Sequence, residues 1–156
     1  MRPPVQFGVA MAVVALVMDQ ATKAAVVANA SQLEGGLTVF PGFDLVFARN
    51  TGVAFGLLGT LPPWGLALLA IGIVAFLVVG MARTHSLVEG IAYGTVIGGA
   101  LGNIIDRIRL GGVTDFLDFY VGVAHWPAFN MADVFVVCGA ACLVMLGGRK
   151  PALDGG

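Results

Sequence analysis

Asp19, Asp106, Asp115 and Asp133 stand inside, or close to the ends of, strongly apolar segments, where a carboxylate is hardest to accommodate. An acid in the hydrocarbon region costs about 3 kcal/mol even on lenient insertion scales, which makes each a candidate for chemistry. Two carboxylates facing each other across a water repel, and the repulsion raises one pKa until the pair holds a single proton near neutrality. The ionised member can then take a proton from water as it attacks a peptide carbonyl. The protonated member can donate to the carbonyl oxygen and later to the leaving nitrogen. Asp115 and Asp133 are the candidates for such a pair. Spacing alone leaves two other readings open, a proton-coupled transporter component and a purely structural polar network.

Other chemistries are poorly supplied. The only serines, Ser31 and Ser86, lie neither in a glycine-rich elbow nor beside a plausible base. His85 and His125 are far apart and no His-Glu-x-x-His helix exists, so no metal site is expected. Cys138 and Cys142, one helical turn apart in an apolar run, read as small packing residues. A net charge of −1 argues against a nucleic-acid footprint, and no organic cofactor is implied.

The elements that position these acids follow from composition. Of 156 residues, 58% are hydrophobic and only 11% charged, too few to cover a water-facing surface. The chain reads as a single integral membrane domain over residues 1–156, a four-helix bundle with small extended elements. The spans are expected at about 7–27, 64–82, 91–108 and 129–146, near the roughly 20 residues a crossing needs. Arg2 and the Ala28-Asn29-Ala30 stretch give span one some likeness to a cleavable secretion signal, but Asp19 and Lys23 break its apolar region. With an even number of spans both termini share a side. Arg2, Arg83, Arg149 and Lys150 flank it, and Lys23, Arg49, Arg107 and Arg109 lie opposite, so charge counting leaves orientation undecided.

Topology then gathers the acids. Span three ends at Asp106, span four begins near Asp133, and Asp115 lies in the loop joining them. Asp19, about 18 Å along a helix starting near Phe7, approaches the same face, and Asn50 sits in the other loop there. Residues three or four apart share a helix face, which pairs Asp19 with Lys23, Asn103 with Asp106 and Arg107, and Asn130 with Asp133. Span two has no such residue and reads as a lipid-facing brace. Gly94, Gly98 and Gly102 form a small-residue stripe that could pack helices within one chain or between two; a monomer is the expectation. Thr38–Asn50 favours extended structure, and Thr114–Phe129, with Phe116, Phe119, Tyr120 and Trp126, reads as an aromatic loop against the headgroups.

Five blocks carry a resemblance: Asp19-Gln20-Ala21-Thr22-Lys23, Arg49-Asn50-Thr51-Gly52-Val53-Ala54-Phe55, residues 98–107 around Asn103, Asp106 and Arg107, Gly112-Val113-Thr114-Asp115-Phe116, and Phe129-Asn130-Met131-Ala132-Asp133. In this order they resemble the signature blocks of lipoprotein signal peptidase (signal peptidase II), across essentially the whole chain. The resemblance implies an aspartic endopeptidase of the bacterial inner membrane, with cytoplasmic termini and the acids near the periplasmic face. The implied substrate is a prolipoprotein carrying diacylglycerol on a cysteine, cut just before that cysteine while its acyl chains stay in membrane lipid. Asp115 and Asp133 match the catalytic pair. Asn50, Asn103, Asp106, Arg107 and Asn130 match residues that line and order the site, and Asp19 and Lys23 match the polar pair of the first helix. Asn103 and Asn130 are expected to hold backbone freed from the substrate helix, Arg107 to anchor the site through a paired carboxylate, and Asp19–Lys23 to form a self-neutralising pair. Val53 departs from the alanine common at its position.

Overall fold

The computed structural model describes residues 1–52 and 62–147; Val53, Arg149 and Lys150, used above, lie outside the described residues. Helix α1 spans Pro3–Ala28, followed by the single turn α2, Ala30–Leu33. Strands β1 (Leu37–Phe40) and β2 (Phe43–Asn50) come next, then α3 (Pro63–Arg83) and α4 (Leu87–Leu110). Strands β3 (Val113–Val121) and β4 (Ala124–His125) precede α5 (Met131–Gly147). The elements track the expected spans to within a few residues.

Helices α1, α3 and α4 are long and apolar enough to cross a membrane, whereas α5 is apolar but has 17 residues. Proline in the first turn starts α1 and α3, where a missing N–H leaves no bond unmade. Ser86 caps α4 by accepting the Glu89 amide.

The glycine stripe is used inside the chain. A Cβ at Gly90, Gly94 or Gly98 would strike the backbone of Pro4, Gly8 or Ala12, and at Gly102 it would strike the Asp19 carboxylate. The contacts climb both helices together, so α1 and α4 run parallel with their C-terminal ends at one level. On another face of α4, Gly99 meets Ala132, while Gly139 of α5 meets Ala92 and Val96, so α5 runs antiparallel to α4. Helix α3 packs on α4 through Gly80 and Tyr93 and leaves Trp64, Leu68 and Phe76 exposed, the brace expected of span two.

At the level where α1 and α4 end, an antiparallel sheet of order β1-β2-β3-β4 covers the bundle. The segment expected as an aromatic loop is largely strand β3. Residues 113–116 are buried, and Phe116 packs with Val26 and Leu33 rather than facing headgroups. Asp115 therefore sits on a strand, opposite Ala48 of β2. The turn into that strand needs Gly111 at φ +67°, a left-handed conformation that costs glycine little.

Candidate active site

Asp133 is placed by the start of its own helix. The Asn130 backbone N–H donates to Asp133 Oδ2 at 3.1 Å, and the Asp133 N–H donates to Asn130 Oδ1 at 3.2 Å. This reciprocal capping box satisfies two donors at once and fixes the carboxylate at the positive end of the helix dipole. The amide of Ala132, another donor in that first turn, reaches Asp19 Oδ1 at 2.9 Å, joining α1 to α5.

Asp115 is brought to the same place by strand pairing. Phe116 and Leu117 both donate their N–H groups to the Phe129 carbonyl at 2.9 Å, and Phe129 N–H donates to Leu117 O at 3.1 Å. The chain entering α5 is thereby stitched to β3, and Asn130 lands beside Asp115. Its Nδ2 donates to Asp115 Oδ1 at 2.6 Å, while Asn50, at the end of β2, donates to Asp115 Oδ2 at 3.0 Å. Asn130 has no exposed surface and touches both carboxylates, one through its side-chain N–H and the other through its own backbone N–H. Asp115 is 3% exposed. Burial pushes its carboxyl up to about 6, against the lowering by Asn50 and Asn130; the Asp133 charge raises it further.

Behind the two acids lies a second polar layer. Lys23 Nζ is 2.9 Å from Asp19 Oδ2 and 3.3 Å from Asp106 Oδ2, and it donates to Asn103 Oδ1 at 2.8 Å. Asn103 Nδ2 in turn donates to Asp133 Oδ1 at 2.9 Å. The expected self-neutralising pair of Asp19 and Lys23 is thus a triad with Asp106, because α1 and α4 end side by side. Arg107 also departs from expectation. Among the described residues it has no carboxylate within ion-pair distance; it donates to the Asn103 carbonyl at 3.3 Å, and Lys23 occupies Asp106 instead. Asn103 and Asn130, expected to hold substrate backbone, hydrogen-bond to groups of the site itself.

Three further residues belong to this layer. Gln20 donates to Asp106 Oδ1 at 3.1 Å and to Asp19 Oδ2 at 3.2 Å, bridging two acids that would otherwise repel. Thr114, fully buried, donates its N–H to Asp106 Oδ2 at 3.0 Å and accepts from Arg49 at 2.8 Å, which fixes the residue before Asp115. Gln20 and Arg49 lie within the sequence blocks that carry the other site residues. Thr114 also lies in such a block, beside Asp115, but nothing in its spacing marks its bond to Arg49, 65 residues earlier.

Asn50, Asn103, Arg107, Asp115 and Asp133 line a cavity of about 500 Å³. Its remaining wall is apolar, with Val113, Trp126, Pro127 and Phe129 near the acids and Val134, Val137 and Cys138 descending along α5. The polar lining comes from β2, α4, β3 and the start of α5, and the apolar lining continues along α5. Two carboxylates bridged by one amide and lining one cavity can activate water against a bound carbonyl. Among the described residues no group of acids, histidines or cysteines is arranged to hold a metal ion.

Comparison with known proteins points to one family. The profile of the Signal peptidase (SPase) II family matches residues 11–147. A protein named lipoprotein signal peptidase from Aeromonas hydrophila is 47% identical over 146 residues, covering 90% of this chain and 87% of that one. Its namesake from Serratia proteamaculans is 44% identical, covering 91% and 86%, and that of Anaplasma marginale is 39% identical, covering 89% and 82%. Two solved structures described as a bacterial membrane enzyme superpose with TM-scores of 0.80 and 0.79 at 27% and 26% identity. The first superposition covers 94% of this chain and 96% of its counterpart, and the second 96% of each. A transporter reading finds no support in these relatives. Nor does a cleavable first span fit a helix that supplies Asp19 and Lys23 to the site.

Proposed function

The chain belongs to the signal peptidase II family, and we propose that it is an aspartic endopeptidase that cuts signal peptides from prolipoproteins, with Asp115 and Asp133 as its acid and base. The observation that carries the reading is Asn130, which holds both carboxylates at one cavity and leaves them open to that cavity.

In this mechanism Asp133 takes a proton from water as the water oxygen attacks the scissile carbonyl carbon. Asp115 carries the other proton and donates it to the carbonyl oxygen. Collapse of the tetrahedral intermediate breaks the C–N bond, and a proton passes to the leaving nitrogen. Arg107, lining the cavity without a carboxylate partner, is a cation available to bound backbone carbonyls. The apolar wall of Val134, Val137 and Cys138 receives the lipid-bearing end of the precursor, whose diacylglyceryl chains remain in the bilayer while its cysteine reaches the polar layer.

Helix α5 serves as a fourth crossing. Its 17 residues span roughly 26 Å, close to the roughly 27 Å core of the thinner bilayers. The acids then lie at the periplasmic face of the bacterial inner membrane, both termini are cytoplasmic, and the enzyme acts as a monomer because its glycine stripe is consumed internally.

The test is cleavage of a diacylglyceryl-modified precursor by purified full-length protein. Asp115→Asn and Asp133→Asn are each expected to remain folded and to lose cleavage. Wild-type turnover by either variant overturns the assignment. A precursor lacking the diacylglyceryl group is expected to be a poor substrate, and equal rates on both forms would remove the lipid from the mechanism.

A further inference from the structure

The two acids are held by similar numbers of donors, but what stands behind those donors differs. Asn50, which donates to Asp115, turns its own oxygen to the Gly52 amide, and Asn130 turns its oxygen to the Asp133 amide. Both oxygens thus face neutral backbone, while Asn130 Nδ2 also donates to Asn103 Oδ1 at 3.2 Å. Asn103, which donates to Asp133, turns its oxygen to the Lys23 ammonium at 2.8 Å. That orientation is forced by chemistry. An ammonium only donates, so it must face the amide oxygen, and the amide N–H must then face Asp133.

We propose that Lys23 is a positioning residue for the reaction, its buried ammonium polarising the Asn103 amide so that Asp133, and not Asp115, is kept as the proton acceptor. The inference rests on the reading of the two acids as a catalytic pair and deepens it, by saying what makes two chemically identical carboxylates unequal. Lys23 is 3% exposed, so its field is little screened by solvent. A hydrogen bond whose donor is itself bonded to a cation is strengthened, because each link of the chain polarises the next.

Charges face Lys23 from every side. Asp19 shares its helix, Asp106 comes from α4, Asp133 of α5 is one amide away, and Asp115 of β3 and Arg107 of α4 line the adjoining cavity. On Asp115 the Lys23 charge is the weakest of the causes acting, which fits a cation aimed elsewhere. Asp19 and Asp106 together outnumber the single cation. Removing Lys23 alone would therefore bury two acids with no counter-charge, and loss of activity in that variant would say nothing specific.

The experiment therefore uses charge-balanced variants of the full-length protein. Asp19→Asn/Lys23→Met and Asp106→Asn/Lys23→Met each delete the cation and one acid, leaving the net charge unchanged. Folding is checked by thermal unfolding in micelles, and cleavage of a diacylglyceryl-modified precursor is followed across pH. In whichever variant folds, kcat should fall about tenfold or more while KM stays within about twofold, and the acidic limb of the kcat profile should move up by about one pH unit. Lys23→Arg, which keeps a cation against Asn103, should leave that limb in place. A folded balanced variant with wild-type kcat and limb overturns the proposal, as does Lys23→Arg with a limb displaced as far as in the balanced variants. Asp133→Asn in the same assay separates the two levels. If it cleaves, the catalytic pair itself is wrong; if it is dead while the balanced variants are normal, only the relay is wrong.

Discussion

Two pairs of neighbouring aspartates differ in their surroundings: Asp44 with Asp118, and Asp115 with Asp133, the pair proposed to be catalytic. Asp44 and Asp118 sit directly opposite each other across β2 and β3, as close in register as side chains on a sheet can be. Yet each has a buried Oδ1 without a hydrogen-bond partner among the described residues, and Asp118 spends its other oxygen on His125 at 2.7 Å. Neither lines the cavity. Asp115 and Asp133 come from a strand and a helix 18 residues apart in sequence (133 − 115), and each of their oxygens accepts one amide hydrogen. Proximity of two acids is therefore not what makes a catalytic pair. A shared amide that fixes both, and a cavity that both line, separate the proposed catalytic pair from the sheet pair.

The largest contrast should appear in turnover. Asp115→Asn and Asp133→Asn are each expected to lower kcat on a lipidated precursor by about 10⁴-fold or more, whereas Asp44→Asn and Asp118→Asn should stay within about threefold of wild type. A comparable loss in Asp118→Asn would break the comparison, because it would make the sheet pair part of the chemistry.

Asn130→Leu comes next. The change removes the donor to Asp115 and the acceptor of the Asp133 amide while keeping similar bulk, so both acids lose orientation. We expect kcat to fall about 10²- to 10³-fold, with a stability loss of about 1–3 kcal/mol from the buried groups left unpaired. Full activity in this variant would show that the two acids hold their geometry without the bridging amide.

A third contrast lies in pH and stability. The Asp115 carboxyl is raised from 3.8 to about 6 in the fold, chiefly by burial, so the folded protein binds that proton more tightly than the unfolded chain. Stability from this group is fully present below about pH 4 and is lost as pH rises through about 6. Asp115→Asn cannot titrate there. The stability of the variant minus that of wild type should therefore rise by about 2 kcal/mol between pH 4 and pH 7, whatever the offset from altered hydrogen bonds. Thermal unfolding of both proteins in micelles at the two pH values measures it, and a flat difference would mean that Asp115 is solvated.

Much of this site was legible before the fold was known, for identifiable reasons. A charge inside an apolar run has few places to go, so Asp19, Lys23, Asp106 and Asp133 announced one polar layer by their depth along each span. The glycine spacing also stated its use, although not its partner, which proved to be α1 of the same chain. Asp115 was harder to place. Its strand exists because β2, some 65 residues earlier, pairs with it, and pairing over that separation leaves no mark in a local window. Arg107 failed for a related reason. A paired carboxylate was expected for it, but the adjacent Asp106 points about 100° away around the helix, and Lys23 on another helix was better placed to meet that acid. The Asn130–Asp133 cap was visible as a spacing, and its meaning lay in the helix beginning at that point rather than a residue earlier.

The smallest expected effect tests whether the two pairs are independent. His125 stacks on Tyr120 with ring centroids 4.9 Å apart and joins Asp118 at the surface end of the sheet, with its side chain 51% exposed. A hydrogen bond so open to solvent contributes at most about 1 kcal/mol. His125→Ala should therefore lower the unfolding temperature only slightly and should leave cleavage within about twofold. Yet His125 directly precedes Trp126 and Pro127, which form part of the cavity wall. If that wall depends on the Asp118–His125 contact, KM would rise in the variant while kcat held. Such a split would make the incidental pair a support for the substrate, joined to the catalytic one through three residues of chain.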